Sequence, residues 1–493
     1  VTETSAQIPA LPESGMQAEP ILQTLRSYRT RDLPDKGGTT TAYVYDPGMD
    51  DLADLGVAAY AIAQPVNGLD PTAFPSYAAV ENDIVGAARQ LFYGGVESVV
   101  GTMTSGGTES IGLAVLGARE RWRARTGDHR GHPTMVLPST AHPAFLKAAH
   151  LFDLDVISVP VSTETFKADP AATEAAIDER TALVVVSTPS YAHGVVDPVE
   201  QIAGIAAKHD VLCHVDACIG WVLPFIREDE GDPPIDFSIP GVTSLSTDLH
   251  KYGYTPKGCS VVLHRDDDLR RHHYFATTAW SGYPVVNPTL LSTRPGGPPA
   301  VAWAILHRIG LDGYRDLALT ARRTTLAIAA GVEQIPGLRT VVAPESTLVA
   351  FADGGAPGDP DVRVVADEMT ARGWTLGAQP AHGGPPTIHA SVSAVLETKV
   401  ETFLADMTAS VEAARAIGRA VPDENLVAAG TSIDVDALTP EMMDGLLSLA
   451  GLNEPGGGLP ARMAPVNALL DAVPPALVER LLIEVILRVY QPS

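Results

Sequence analysis

Over residues 67–265 the chain alternates short β-branched runs with amphipathic stretches, and this alternation limits the available folds more than any other feature. Residues 134–137, 154–159, 182–187, 211–215, 242–246 and 260–264 read as strands, with helical periodicity between them over 143–151 and 199–208. Strands separated by helices predict an α/β domain built on a largely parallel sheet. Sheets of this kind bind ligands beyond the carboxyl ends of their strands, so chemistry is expected just after each run.

The rest of the chain arranges itself around that domain. Residues 1–60 mix helical stretches with Pro, Gly and acidic residues and read as an arm, leaving 61–320 as the large domain. Residues 300–335 read as long helices. Strands expected over 338–351, 374–376 and 387–392 surround another helix, so 321–420 reads as a smaller α+β domain, with 353–360 a Pro and Gly loop. Residues 421–493 form an extension containing GLNEPGGGLP and a final amphipathic helix over 475–490, whose expected role is packing or dimer contact.

A chain of 493 residues that is 45% hydrophobic can bury two or three packed domains. Its formal charge of -25 disfavours nucleic acid and anionic lipid as general partners, so any phosphate site must be local. Cys213, Cys218 and Cys259 show neither metal spacing nor a disulfide framework, which suits a reducing cytoplasm. No stretch approaches the roughly 18 unbroken apolar residues of a membrane span, and the opening residues lack the order of a signal peptide.

Four features carry chemistry. GTMTSGGTES, residues 101–110, runs into a helical segment, so Gly106, Gly107 and Thr108 sit at a helix N-terminus, where free amides and the helix dipole favour an anion. The run lacks the Lys-Ser/Thr ending of a nucleotide P-loop. Asp216, in VLCHVDACIG, closes an apolar strand with an acid that needs a cationic partner; a pyridinium nitrogen would serve. Lys251, in SLSTDLHKYGYTPKG, follows 35 residues later among aromatic and apolar neighbours, and partial desolvation with a cationic neighbour is expected to lower its pKa and free the amine for imine formation. His142, in STAHPAFLKAAH, opens a helix after a strand and could lie against a flat ring. Alone, each is an ordinary cap, loop or surface residue; in this order, each at a strand end, they point to a pyridoxal 5'-phosphate (PLP) enzyme.

These segments, with STPSYAHGVVDP, WSGYPVVNPTLLSTRPG and PTIHASV, resemble the PLP-dependent group II decarboxylases and, within them, the sphingosine-1-phosphate lyase branch, over residues 67–392. The resemblance implies fold type I, with a mostly parallel seven-stranded sheet and a small C-terminal α+β domain, in a homodimer with shared active sites. It also implies that Lys251 carries the cofactor, Asp216 pairs with the ring nitrogen, His142 stacks on the ring, and Gly107 with Thr108 holds the phosphate. His250 would approach the phosphate or imine, Ser187 or Thr188 would sit against the cofactor, and Tyr254 and Tyr283 would transfer protons or touch substrate. After Trp280 the chain reads SGYPVVNPTLLSTRPG where the lyases carry a Gly-rich, Tyr-Ala-Ser-Pro segment, leaving a different or broader amine substrate open. The expected activity is aldehyde-lyase cleavage of a phosphorylated or related amino alcohol. The alternatives are an amino acid decarboxylase and a catalytically silent PLP-binding regulatory homologue.

Overall fold

The computed structural model describes residues 11–381, 384–422, 424–449 and 460–490. Nine strands precede the long helix Gly297–Val332: β1 (Val100–Thr104), β2 (Thr134–Pro138), β3 (Asp155–Val159), β4 (Thr181–Ser187), β5 (Leu212–Ala217), β6 (Val242–Asp248), β7 (Ser260–His264), β8 (Phe275–Thr277) and β9 (Val285–Asn287). β1 to β7 form one sheet in the order β1-β7-β6-β5-β4-β2-β3. Ladders among β2 to β6 are parallel, and β7 runs antiparallel to β1 and β6.

Parallel sheets are covered on both faces, so their strands are apolar throughout. β4 is buried at every position, and its side chains divide with period two. Val184 and Val186 enter the larger core with Val136 and Val215, while Leu183 and Val185 enter a second cluster with Met135, Leu137 and Phe145. The helix Gly107–Thr126 lies in the middle of the domain, buried over most of its first four turns, and stops at Gly127, whose φ of 73° an L side chain rarely adopts.

β10 (Leu338–Thr340), β11 (Leu348–Asp353), β12 (Gly377–Gln379) and β13 (Thr387–Ser391) form a second, antiparallel sheet in the order β10-β11-β13-β12 with its own core. Three local expectations shift. β1 was hidden by its overlap with the Gly-rich run, 338–351 splits into two strands, and the strand expected at 374–376 begins at Gly377. The long helices expected over 300–335 are one element kinked at Gly310, where φ is 66°.

The extension is helical, with segments Glu424–Ser432, Pro440–Leu449, Ala464–Ala472 and Pro475–Val489. It is clipped to the second sheet's layer by acids. Asp367 accepts the amides of Met463 and Ala464 at 2.9 and 3.0 Å, and Asp471 pairs with Arg363 at 2.8 Å. The GLNEPGGGLP run lies, except for its final Pro460, outside the described residues. Among the described residues no helix is long and apolar enough to cross a membrane.

Candidate active site

The carboxyl ends of β2, β4, β5 and β6 and the start of the helix Gly107–Thr126 converge on a cavity of about 360 Å³. Gly107, Thr108, His142 and Ser187 line it, as do Asp216, His250 and Lys251. One rule, that strand ends carry the chemistry, brings these seven residues from five chain segments to one place.

The floor is built for an anion. The amides of Glu109 and Ser110 turn back to the Gly106 carbonyl, both at 3.0 Å, and the Glu109 carboxylate takes the Ser105 amide at 2.7 Å, leaving the Gly107 and Thr108 amides for a ligand. A Cβ on Gly107 would stand 2.8 Å from both Asp248 carboxylate oxygens and from the Cys218 sulfur, so glycine is required for the close approach. The buried Ser187 hydroxyl and His250 Nδ1 have no partner among the described residues. A cavity with free helix-end amides, orphaned donors, a buried acid and an amine fits PLP.

Asp216, on β5, is buried and held in orientation. Its Oδ1 accepts the Cys218 amide at 3.0 Å and lies 3.4 Å from the Ser246 hydroxyl, which is itself 3.1 Å from His214 Nε2. Burial lowers the His214 pKa to about 4, so this imidazole stays neutral behind the carboxylate. Nδ1 of His142 accepts the Ala144 amide at 3.2 Å, which places the ring proton on Nε2, and burial lowers this pKa also.

Lys251 departs from expectation. Burial opposes its charge, but the Asp248 carboxylate 3.0 Å from Nζ, with Cys218, Tyr45 and Asp216 beyond it, overrides that penalty and raises the pKa. The expected lowering rested on burial and a cationic neighbour, and took no account of an acid at Nζ. Lys257 does feel the Lys251 charge, and burial together with that charge lowers its own pKa, but the nearer group to Lys251 is an acid. The turn carrying the lysine is braced through Tyr252, whose hydroxyl donates to the Val392 carbonyl at 3.0 Å, just past the end of β13 in the second sheet.

Three expected residues lie elsewhere. Thr188 is buried behind the wall, its amide donating to the Asp216 carbonyl at 2.8 Å. Tyr254 is buried beneath the lysine turn with its ring parallel to Tyr314, and its hydroxyl does not reach the cavity wall. Tyr283 is 58% exposed beside Trp280 on the β8–β9 hairpin, where it lines a separate surface groove. Sequence reasoning missed Asp248, Tyr191, Cys218 and Glu109, which all line the cavity. Asp248 had a signal, a carboxylate at a strand end three residues before the lysine. Tyr45, from the arm, is close enough for its ring to lie edge-on to Tyr252 at 5.0 Å, and nothing in its local sequence announces that.

Residues 52–283 match the pyridoxal-dependent decarboxylase conserved domain, and residues 424–488 match a pyridoxal-dependent enzyme C-terminal putative HTH domain. The chain is 36% identical over 415 residues to a sphingosine-1-phosphate lyase of Oryza sativa, covering 82% of this chain and 75% of that one. It superposes on the sphingosine-1-phosphate lyase of Burkholderia pseudomallei with a TM-score of 0.78 at 35% identity, over 84% of this chain and 94% of that chain. A glutamate decarboxylase of Lactobacillus brevis gives a TM-score of 0.73 at 19% identity, over 83% and 96% of the two chains, a likeness of fold.

Proposed function

The chain belongs to the sphingosine-1-phosphate lyase family of pyridoxal-dependent enzymes, and from that premise we propose that it cleaves the Cα–Cβ bond of a phosphorylated long-chain amino alcohol, releasing an aldehyde and a phosphorylated amine. The observation that carries the reading is the convergence of Lys251, Asp216 and the Gly107 cradle on one cavity. Bound PLP supplies an electron sink for negative charge at the substrate α-carbon. Lys251 is the amine that holds it, Asp216 the counter-charge for a protonated ring nitrogen, and His142 the flat wall against the ring. The Gly107 and Thr108 amides take the phosphate, with Ser187 and His250 as further polar contacts.

This cradle neutralises an anion with backbone dipoles rather than side-chain cations. A second phosphate, on the substrate, needs its own charge, and Lys257 meets that need. Its ammonium stands 5.0 Å over the Tyr45 ring and donates to the His250 carbonyl at 3.0 Å, close enough to Lys251 for the two charges to interact.

The active unit is proposed to be a homodimer. The helix Ala18–Tyr28 buries none of its residues within one chain, and Phe275, Trp280, Tyr283 and Val286 stand exposed on the β8–β9 hairpin, where a second chain would cover them. Tyr283 is then available to a site shared between subunits. The three free cysteines, all buried, suit a cytoplasmic setting. We take 1–60 as the arm, 61–320 and 321–420 as the two domains, and 421–493 as an extension of that unit.

The test offers purified holoenzyme a phosphorylated sphingoid amine and a panel of L-amino acids while aldehyde and CO2 are followed. Aldehyde from the phosphorylated amine supports the reading; CO2 from an amino acid without aldehyde overturns it in favour of a decarboxylase. Borohydride reduction and peptide mass analysis are expected to find the pyridoxyl group on Lys251, and its absence there refutes the assignment.

A further inference from the structure

We propose that Ser246 and His214 are positioning residues that decide where the proton shared by Asp216 and the cofactor ring nitrogen resides. The imidazole, fixed as its Nε2–H tautomer, aims the Ser246 hydroxyl hydrogen at the carboxylate, and that hydrogen bond keeps the proton on the ring. The proposal deepens the reading of Asp216 as the counter-charge of the ring and rests on it.

The sheet sets the geometry. Residues two apart on a strand share a face, so His214 and Asp216 on β5 point the same way, and the register puts Ser244 beside His214 and Ser246 beside Asp216 on β6. Nδ1 of His214 lies 2.8 Å from the Ser244 hydroxyl, and Nε2 lies 3.1 Å from that of Ser246. The Ser246 oxygen is 3.4 Å from Asp216 Oδ1 and 3.2 Å from the Cys218 sulfur. His214 and Ser246 are fully buried and neither lines the cavity, so both act through Asp216. The Cys218 amide also binds Oδ1, which leaves Oδ2 for the cavity.

The hydrogens of this network settle on one arrangement. Burial keeps the imidazole neutral, with a single N–H to place, and keeps the Cys218 thiol protonated as a donor. With the proton on Nε2, Ser244 donates to Nδ1, Nε2–H and the thiol both donate to the Ser246 oxygen, and Ser246 donates to Asp216. Every hydrogen then has an acceptor, and the line ends on an anion. With the proton on Nδ1, Nε2 competes with the carboxylate for the Ser246 hydrogen, and the Ser244 hydrogen has no acceptor among the described residues. Hydrogen bonds to an ionised group are about twice as strong as neutral ones, so the first arrangement prevails. The other groups in reach do not upset it. Phe145 meets the imidazole edge-on, with ring centroids 5.8 Å apart, and burial holds His264 and His142 neutral. The Lys251 charge favours an ionised Asp216, as the hydroxyl does.

A carboxylate that accepts a hydrogen bond keeps its charge more readily and takes a proton less readily. One proton between Asp216 and the ring nitrogen has two positions, and the Ser246 hydrogen moves it toward the nitrogen. A protonated ring is the better sink for charge at the substrate α-carbon. Losing the Ser246 bond returns part of that proton to Asp216, and no other group gains or loses one.

Solid-state 15N NMR of the holoenzyme tests both halves. In wild-type protein labelled with [15N]histidine, the His214 signal, identified by its loss in His214→Gln, is expected to show Nε2–H; an Nδ1–H tautomer overturns the proposal. In protein reconstituted with PLP labelled at the ring nitrogen, Ser246→Ala is expected to move the proton distribution about tenfold toward Asp216, the low end for a bond to an ionised group because this one is long. The ring signal then shifts toward the unprotonated range. Ser246→Cys, whose thiol is a weaker donor, gives a signal between that of Ser246→Ala and the wild type. A ring signal that stays at its wild-type position in Ser246→Ala overturns the proposal. Where Ser246→Ala fails to fold, Ser246→Cys takes its place, and an unmoved signal there overturns it too. A wild-type chain that takes up no PLP on Lys251 defeats the underlying reading instead, while its histidine tautomer is still read, so the two failures are distinguishable.

Discussion

Replacing Gly107 with alanine adds one methyl group at the floor of the site. That carbon would lie 2.8 Å from each Asp248 carboxylate oxygen and from Cys218 Sγ, where contacts of about 3.5–4.0 Å are normal. Neither neighbour can retreat easily. Asp248 is held by Ser260, Lys251 and His250, and the Cys218 sulfur is bonded to Ser246 at 3.2 Å. Overpacking against fixed neighbours costs about 1–3 kcal/mol, which falls on the conformation that holds the phosphate and weakens PLP binding about five- to 150-fold. Gly112→Ala is the control. It lies on the same helix, its added carbon would meet only the Phe152 ring at 3.6 Å, and helix propensity favours alanine by up to about 1 kcal/mol. Affinity is read by titrating PLP into cofactor-free protein and following the visible absorbance, with thermal melts run alongside. Wild-type affinity in Gly107→Ala, or an equal loss in Gly112→Ala, would refute the steric argument.

Asp216→Asn is expected to keep the pyridoxyl group on Lys251 while lowering kcat about 10²- to 10⁴-fold, since breaking a buried ion pair costs about 3–5 kcal/mol; steady-state rates at saturating substrate check this, and an unchanged kcat refutes it. His214, His264 and His389 are fully buried, and burial lowers their pKa values, to about 4 for His214, to about 3 for His389 and well below the ordinary value for His264. The unfolded chain therefore binds protons that the folded one refuses below pH of about 6.5, so their contribution is complete above that value and is lost as pH falls, by up to about 1.4 kcal/mol per histidine per pH unit. Burial raises Asp197 to about 6, which acts in the opposite sense: the fold favours its proton, and that contribution is lost as pH rises toward 6. Burial lowers His193 and His273 to about 4 as well, so the histidines outweigh Asp197 and stability falls between pH 6.5 and 5 in denaturant titrations, and a flat profile contradicts the balance. Asp367→Ala removes the acceptor of the Met463 and Ala464 amides, a loss of about 1–2 kcal/mol that should speed hydrogen exchange in the helix Ala464–Ala472 while leaving the pyridoxyl-Lys251 adduct intact.

The part of the fold legible in the sequence was the part with a period. β2, β4, β5 and β7 each carry a run of apolar residues because both faces are covered, and such runs are visible without any structure. β1 was not, because its residues VGTMT merge into the Gly-rich run and Gly101 interrupts the β-branched pattern. In the site, residues at strand ends could be located by position alone. Tyr45 comes from the arm and Tyr191 from a loop, and for these only the folded chain brings distant segments together. The charge state of Lys251 was misjudged for a related reason. Burial can be read from apolar neighbours, but which acid faces an amine depends on the turn from Asp248 to Lys251.

The hydroxyl bond from Tyr252 to Val392 makes the lysine turn and the second sheet a single mechanical part. A swing of the smaller domain away from the larger one would have to snap that link or drag the reactive amine with it. A change that cut the tether, such as Tyr252→Phe, would remove that link between the reactive turn and the smaller sheet.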